Sequence, residues 1–549
     1  MNKNLYRIVF NQARGMLMVV PEIARAIGTR ASGTGHTLSR LIGKVSALSF
    51  SLWLALGAVQ TVQADIIANG AAAKNQRPTI ISSANGTPQV NIQTPSNAGV
   101  SRNSFSRFDV DKKGVILNNA ARNTQSELAG MVAANPWLER GEAKVILNEV
   151  SSRDPSKLNG IIEVAGKKAQ VVIANPAGIT CDGCGFINAN RTTLTTGQVQ
   201  MSDGKISGYD VQRGEIVVEG RGMDSTRADS TDLIARAVKV NAGLWAKELK
   251  VSTGRNIVDA AHQAVTAKNG DESSRPQFTL DVAQLGGMYA SKIHLRGTER
   301  GLGVRNAGVI GASAGDVVVN ADGTLTNSGQ IQAQETIHLS SRSGIQSSGV
   351  LAAGIKPDGS ANATGNLTLT SEGTLKVSGQ NQAAGKISAH GADLNFSASQ
   401  SRAAQIELTA TQGNIRTAQA STEARTVTVR TGGKLDNDGG NITADTLDIT
   451  ARQLSNREGV LQQRGEAALT LAHQDGIDNR GGIIANAGEK LTLTGASLDN
   501  QQGRIQANAL AIDTATRSIN NQQGILTASR EMMLHSGGLN NDAGLVQAG

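Results

Sequence analysis

The chain has two cysteines, Cys181 and Cys184, set three apart in the stretch ANPAGITCDGCGF (174–186). A disulfide across a tight turn is favoured by the even count and by an exported location. A redox pair would belong with a βαβ pattern, and none surrounds it. Zinc would need two further ligands, and none lies nearby in sequence. Other strings resemble catalytic motifs only superficially. GASAG (311–315) fits the G-x-S-x-G elbow, but that elbow needs a helix after the serine; here DVVVNADG follows and reads as a strand. GQNQAAGKIS (379–388) has the wrong spacing for a phosphate loop and no Ser/Thr after Lys386. The seven histidines form no H-E-x-x-H and no close pair. R-G-E occurs at 140–142, 213–215 and 464–466, but no R-G-D occurs. These residues predict no enzyme, no metal site and no cofactor.

The elements that carry these residues are short strands. VDKKGVILNN, AKVILNEV, LNGIIEVAG and KAQVVIAN are apolar or alternating runs bounded by Gly, Asn or Pro. Two Asn-Pro turns punctuate them, Asn135-Pro136-Trp137-Leu138 and Asn175-Pro176-Ala177-Gly178-Ile179. Proline fixes φ, and asparagine hydrogen-bonds its own turn. Residues 65–100 are polar and are expected to cap the amino end. Thr124-x-x-Glu127 fits a capping box, and DSTDLIARAVKV (229–240) is a second possible helix. The polar stretch 261–276 reads as an exposed loop.

Residues 1–64 stand apart. An apolar run at 45–59 follows Arg40 and Lys44, and Val62-Gln63-Ala64 is a small-residue cleavage site, so the mature chain is expected to start at Asp65. This leader holds about +6 of the +8 net charge, so the basic balance does not argue for nucleic-acid binding.

Beyond 310 the texture changes. Aromatics make up only 2% of the chain, and Phe396 is the only one past residue 290. Leu435-Asp-Asn437, Leu454-Ser-Asn456, Ile477-Asp-Asn479, Leu498-Asp-Asn500, Ile519-Asn-Asn521 and Leu539-Asn-Asn541 head one repeated pattern, each followed by glycine and an aliphatic residue. Successive asparagines are 19, 23, 21, 21 and 20 apart. A period near 20 with alternating aliphatics means a solenoid. The predicted fold is all-β: a right-handed parallel β-helix (solenoid) with small extra-helical elements in the amino-terminal half. The repeated asparagine is expected to stack at one corner as an amide ladder. At ~21 residues per coil and ~4.8 Å per coil, residues 65–549 give ~23 coils and a rod of roughly 110 Å. The chain stops inside a repeat at LNNDAGLVQAG, without the polar end unit that solenoids need. It therefore reads as the front of a longer protein, or as a truncated one.

The run ANPAGITC-x-x-CGFIN-x-x-R-x-TLTTG resembles the secretion-domain signature of two-partner secretion exoproteins, the filamentous haemagglutinin group. FSRFDVDKKGVILNNA (105–120), NPWLERGEAKVILNEVSS (135–152) and 229–256 extend the resemblance, and the amino-terminal block NLYRIVFNQARGMLMVVPEIAR resembles an extended signal peptide. The resemblance implies three parts: a signal peptide at 1–64, a secretion domain at 65–310 and a repeat shaft at 311–549. It implies export by the Sec machinery, recognition in the periplasm by a partner outer-membrane transporter, and folding outside a Gram-negative cell. The family motifs NPNL and NPNGI map onto 135–138 and 175–179, with Trp137 and Ala177 replacing asparagine. The implied functions are a surface or secreted adhesin with an unidentified cell-surface receptor or, alternatively, the stalk of a contact-dependent growth inhibition toxin whose enzyme lies at a carboxyl end absent here.

Overall fold

A computed structural model describes residues 6–11, 16–21, 65–268, 275–356, 360–362 and 364–549. The chain divides into two units, 1–61 and 62–549. In the first, Tyr6–Asn11 and Met16–Pro21 pair antiparallel. The apolar run at 45–59 and Ala64 lie outside the described residues.

The second unit is a parallel β-solenoid of about 19 turns. Each regular coil supplies three strands, as in Val317–Ala321, Leu325–Asn327 and Gln330–Ala333, before Ile337–Ser341 begins the next coil. Alternation drives this. In Val317–Ala321 the first, third and fifth side chains are buried and the others half-buried, the two-residue period of a strand with one face in a core. The buried residues stack in register from coil to coil. One row runs Ile293, Val317, Ile337, Leu367, Ile387 and Ile406. A second runs Val304, Leu325, Ile345, Leu375 and Leu394. A third runs Met288, Ile310, Ile331 and Leu351. All are essentially inaccessible, and each such side chain contributes on the order of 1.5–3 kcal/mol of burial.

The expected ~23 coils are too many because several segments leave the coil path. Asp65–Ala68 pairs antiparallel with Val100–Asp109, and Thr79–Ser82 pairs antiparallel with Pro88–Asn91, so the amino end spends residues on a cap. Gln198–Ser202, Lys205–Val211, Asn256–Asp259 and Val265–Ala267 form a separate four-stranded antiparallel sheet. The last of these strands lies in the stretch read as an exposed loop.

Neither possible helix forms. Thr124–Ser126 is a strand paired with Gly130–Val132. The Glu127 N–H that a capping box would use goes to the buried Glu163 carboxylate at 2.8 Å, which also accepts from Ser126 Oγ at 2.7 Å and the Leu128 N–H at 2.8 Å, and the Glu127 carboxylate pairs with Arg227. Residues 229–240 form Ser230–Ala235 and Ala237–Val240, each held between parallel neighbours. Leu233 stacks between Leu194 and Val251, so coil register overrides a short helical pattern. Among the described residues, the one helical element is a single 3₁₀ turn, Lys74–Gln76.

The asparagine corner is an amide ladder. Asn437, Asn456, Asn479 and Asn500 each donate from Nδ2 to Oδ1 of the next asparagine at 2.7 Å, and Asn521 donates to Asn541 at 2.6 Å. Each also donates to its own glycine carbonyl three residues on, as Asn479 does to Gly482 at 3.1 Å. That glycine is dictated by crowding: a Cβ on Gly503 would lie 2.2 Å from the Asn479 carbonyl oxygen.

Replacing Asn479 with leucine leaves the amide of Asn456 and the carbonyl of Gly482 buried without this partner, at about 1–3 kcal/mol per orphaned group. We expect faster hydrogen exchange across 456–503 and a lower urea midpoint for that region. Arg480→Ala, which removes an exposed ion pair with Asp478, should change either value little.

Candidate functional site

Both Asn-Pro motifs form corners whose asparagine side chains point inward. Asn135 is 3% exposed. Its Nδ2 donates to the carbonyls of Ile92 and Asn118, both at 2.9 Å, and its Oδ1 accepts from the Trp137 N–H at 3.0 Å. Pro136 turns the chain away from the strand path, Leu138 is buried, and Trp137 stands outside, 43% exposed, with its indole N–H directed to Thr79 Oγ1 at 3.2 Å. Asn175 is fully buried. It donates to the Asp154 carbonyl and to Ser156 Oγ, both at 3.0 Å, and accepts from the Ala177 N–H at 2.9 Å. After Pro176, Gly178 takes a φ of +133° and delivers buried Ile179 into the strand Ile179–Cys181. Each asparagine therefore bolts its own turn to other segments, Asn135 through two backbone carbonyls and Asn175 through a carbonyl and a serine hydroxyl. The third positions, Trp137 and Ala177, contribute only their backbone N–H to this bond.

Cys181 and Cys184 are joined, with Cα atoms 5.4 Å apart. The pair closes a corner, one cysteine ending the strand Ile179–Cys181 and the other opening Cys184–Ile187, with Asp182 and Gly183 between them. Both sulfurs lie in the core.

The four-stranded antiparallel sheet covers one outer face of the coils. Tyr209, Val211 and Val258 from the cover pack on Val100, Leu147, Val172 and Ile234 from the coils, forming a second hydrophobic cluster outside the solenoid core. The edge of this contact is polar, with Asp232, Ser252 and His262 buried and Arg191 half-buried. His262 lies 2.9 Å from Asp232 through Nδ1 and 2.7 Å from Ser252 Oγ through Nε2. Arg191 pairs with the other Asp232 oxygen and also donates to the Ala260 carbonyl at 3.1 Å. Aspartate, histidine and serine in that order have the connectivity of a hydrolytic triad. Here Ser252 is 1% exposed and His262 6%, so a substrate carbonyl cannot reach Oγ without displacing the turn above it. His262 itself holds a φ of +55°, a left-handed conformation that costs free energy in a non-glycine residue and that the three-way bonding stabilises. The group works as a latch between cover and coils.

Burial alone would raise the pKa of Asp232, but the hydrogen bond from His262 and the charge of Arg191 outweigh it, and the carboxyl sits below its ordinary value. Sequence reading missed this latch. Asp232 and Ser252 occupy outward strand positions that look like any solvated face, and His262 lies in a stretch read as loop. GASAG spans the end of the strand Val309–Ala312 and the turn before Val317–Ala321. Among the described residues no group of three His, Cys, Asp or Glu side chains is arranged to hold a metal.

Mass spectrometry of the secreted, non-reduced protein should find no free thiol at either cysteine; two free thiols would contradict the bonded corner. His262→Ala should speed hydrogen exchange and proteolysis across 256–268 while leaving the far-ultraviolet circular dichroism of the coils unchanged. Because the folded Asp232 pKa is depressed, its contribution is complete above the unfolded value near ~4 and is lost as pH falls through the folded value. The cover should therefore loosen below about pH 4. Asp232→Asn should be looser at neutral pH and lack that pH step.

Two family models match this chain: the TPS secretion domain over residues 64–333 and the Extended Signal Peptide of Type V secretion system over residues 1–51. "Toxin CdiA" of Yersinia pestis is 50% identical over 553 residues, covering 92% of this chain and 17% of that protein. "tRNA nuclease CdiA-2" of Burkholderia pseudomallei (strain 1026b) is 38% identical, covering 81% of this chain and 16% of that protein. The solved filamentous hemagglutinin secretion domain is 25% identical, with 68% of this chain and 99% of that one covered, at a TM-score of 0.41. The chain thus spans about a sixth of the length of these curated relatives. With a type V extended signal peptide ahead of a TPS secretion domain, the chain belongs to the two-partner secretion exoproteins of the filamentous haemagglutinin family, cell-surface proteins that Gram-negative bacteria export through the periplasm.

Proposed function

We propose that residues 65–310 form the part recognised by a partner outer-membrane transporter after Sec export, and that 311–549 is the beginning of a shaft. The match of a secretion-domain model to residues 64–333 carries this reading. The solenoid register runs through the proposed boundary unbroken, from Met288 to Ile310 to Ile331, so the division is one of function within a continuous rod core. Asn135 and Asn175 act by position. In the folded chain both are buried, and they fix the corners that present Trp137 and the neighbouring surface. The chain itself serves in export and display, without catalysis.

The exported shaft presents binding sites as an adhesin to host or neighbouring cells, through a receptor that the chain's chemistry does not name. A second reading is favoured by the 50% identity to a protein named as a toxin: the chain is the stalk of a contact-dependent growth inhibition toxin, and catalysis belongs to a downstream domain.

The test is fractionation of cells that co-express the transporter. Wild-type 65–310 behind its own leader should reach the medium. Asn135→Ile and Asn175→Ile should be cleaved by signal peptidase yet fall severalfold in the medium and accumulate, or be degraded, in the periplasm. Asn479→Ile in the full chain, an equally buried corner outside 65–310, should leave export intact. Wild-type export of both corner variants would make the two motifs structural turns only. Retention of wild-type 65–310 in the periplasm would overturn the assignment of the domain.

A further inference from the structure

The stacked rows that fill the shaft exchange character in one place. The third-strand row runs Ile310, Ile331 and Leu351 and resumes as Ile442, Leu461, Ile484, Ile505 and Leu526. Between these two stretches the register passes through Asn381, Ser401 and Thr422. All three are buried like their aliphatic neighbours, none more than 4% exposed.

The asparagine corner changes the opposite way in the same coils. Asn306, Asn327 and Ser347 stand in register and form a short ladder. Asn306 Nδ2 donates to Asn327 Oδ1 at 2.8 Å, and Asn327 Nδ2 donates to Ser347 Oγ at 3.1 Å. The next residue in register with Ser347 is Val377. One coil later Phe396 holds the place, following Asn395 as Val377 follows Lys376, with its ring in the core. Side-chain hydrogen bonding cannot cross a valine and a phenyl ring. It restarts at Thr417, whose Oγ1 donates to Asn437 Oδ1 at 2.8 Å. The shaft therefore holds two separate ladders, Asn306 to Ser347 and Thr417 to Asn541.

The exchange strands polar atoms. Asn381 is fully buried. Its Nδ2 reaches Ser401 Oγ at 3.3 Å and the Gly379 carbonyl at 3.4 Å, both long, and its Oδ1 accepts from no described residue. Ser399 Oγ, 1% exposed, is also unpaired. A buried acceptor without a donor keeps its desolvation cost with nothing to offset it. In a solenoid each coil packs only on its neighbours, so stability is a sum of nearest-neighbour contacts and the array opens first where those are poorest.

We propose that the coils from Thr374 to Thr422 are a yielding joint between two stiffer blocks, each held by its own ladder. The joint opens before either block. It lets the far block swing while the near one keeps its register with the coils before it. That use of the joint rests on reading 311–549 as a shaft; the order of opening does not.

The experiment is hydrogen exchange of the secreted chain followed by mass spectrometry. Peptides covering 376–383 and 394–403 should be about tenfold less protected than those covering 325–333 and 437–461, the low end of what one unpaired buried acceptor is worth. Asn381→Val carries the aliphatic row on from Leu351 and should restore protection across 376–403 by a similar factor. Wild-type protection in the joint equal to that of the two blocks overturns the proposal without reference to any variant. Weak protection that Asn381→Val, folded by circular dichroism, does not restore would place the weakness outside the polar exchange and also overturns it.

Swing is read separately. Both cysteines are bonded to each other, so spin labels attach only to introduced ones. Thr326→Cys with Asp436→Cys spans five coils across the joint. Asp436→Cys with Asn540→Cys spans five coils within one block. The first pair should show the broader distance distribution; equal widths overturn the swing.

Discussion

A parallel strand in this solenoid satisfies its backbone only through the coils before and after it. That dependence governs the rest of the structure. Each coil must present its carbonyls and N–H groups at the height and register its neighbour requires, so coil lengths cluster near 20 residues and insertions must leave the path altogether. Where the strands turn, backbone N–H groups still reach the next coil, as Asn479 does to the Asp499 carbonyl at 2.7 Å and Gly481 to the Gln501 carbonyl at 2.9 Å, and side-chain amides add to them. Asn479 spends its two N–H hydrogens on the next asparagine and on the carbonyls beside it. Asn135 and Asn175 do the same work in the less regular amino-terminal half. The crowding that forbids a Cβ on Gly503 belongs to the same closeness of approach.

A core assembled this way is only a few side chains wide and is filled by stacked aliphatics. Among the described residues that interior is taken up by stacked side chains, and the features considered next lie on the outside of the coils. Two different uses of that outside are visible. At the cover sheet, a second apolar layer and a buried Asp232–His262–Ser252 group seal the surface, and an arrangement that activates a nucleophile elsewhere here holds a strained histidine in place. At Trp245 and Tyr289 the rings are left half-exposed. The same outward strand positions thus serve as joint in one place and as partly open surface in another.

Much of the solenoid could be read from the chain because a repeat writes its geometry many times. The asparagines from 437 to 541 carry the period, the corner and the ladder in their spacing alone. The coils with no such repetition were harder. Residues 229–240 carry a plausible helical pattern, and only the neighbours Leu194 and Val251 reveal that Leu233 belongs in a strand. The cover sheet was hidden for a related reason: Lys205–Val211 and Asn256–Asp259 pair with one another across intervening coils, and nothing local in either segment announces the partner. Asp232 and Ser252 were invisible because an outward polar residue carries the same sequence signal whether it faces water or a lid.

The asparagine ladder has a direction. From Asn437 to Asn541 every bridging amide offers its nitrogen toward the higher-numbered coil and its oxygen toward the lower-numbered one, and Asn306 and Asn327 point the same way. Amides aligned head to tail add their dipoles, as peptide units do in a helix, and each bond polarises the next. The row is therefore an electrical arrow along the stack. An arriving coil meets a line of N–H donors and must answer with an acceptor, so each finished turn imprints its polarity on the turn that follows and rejects one laid down in reverse.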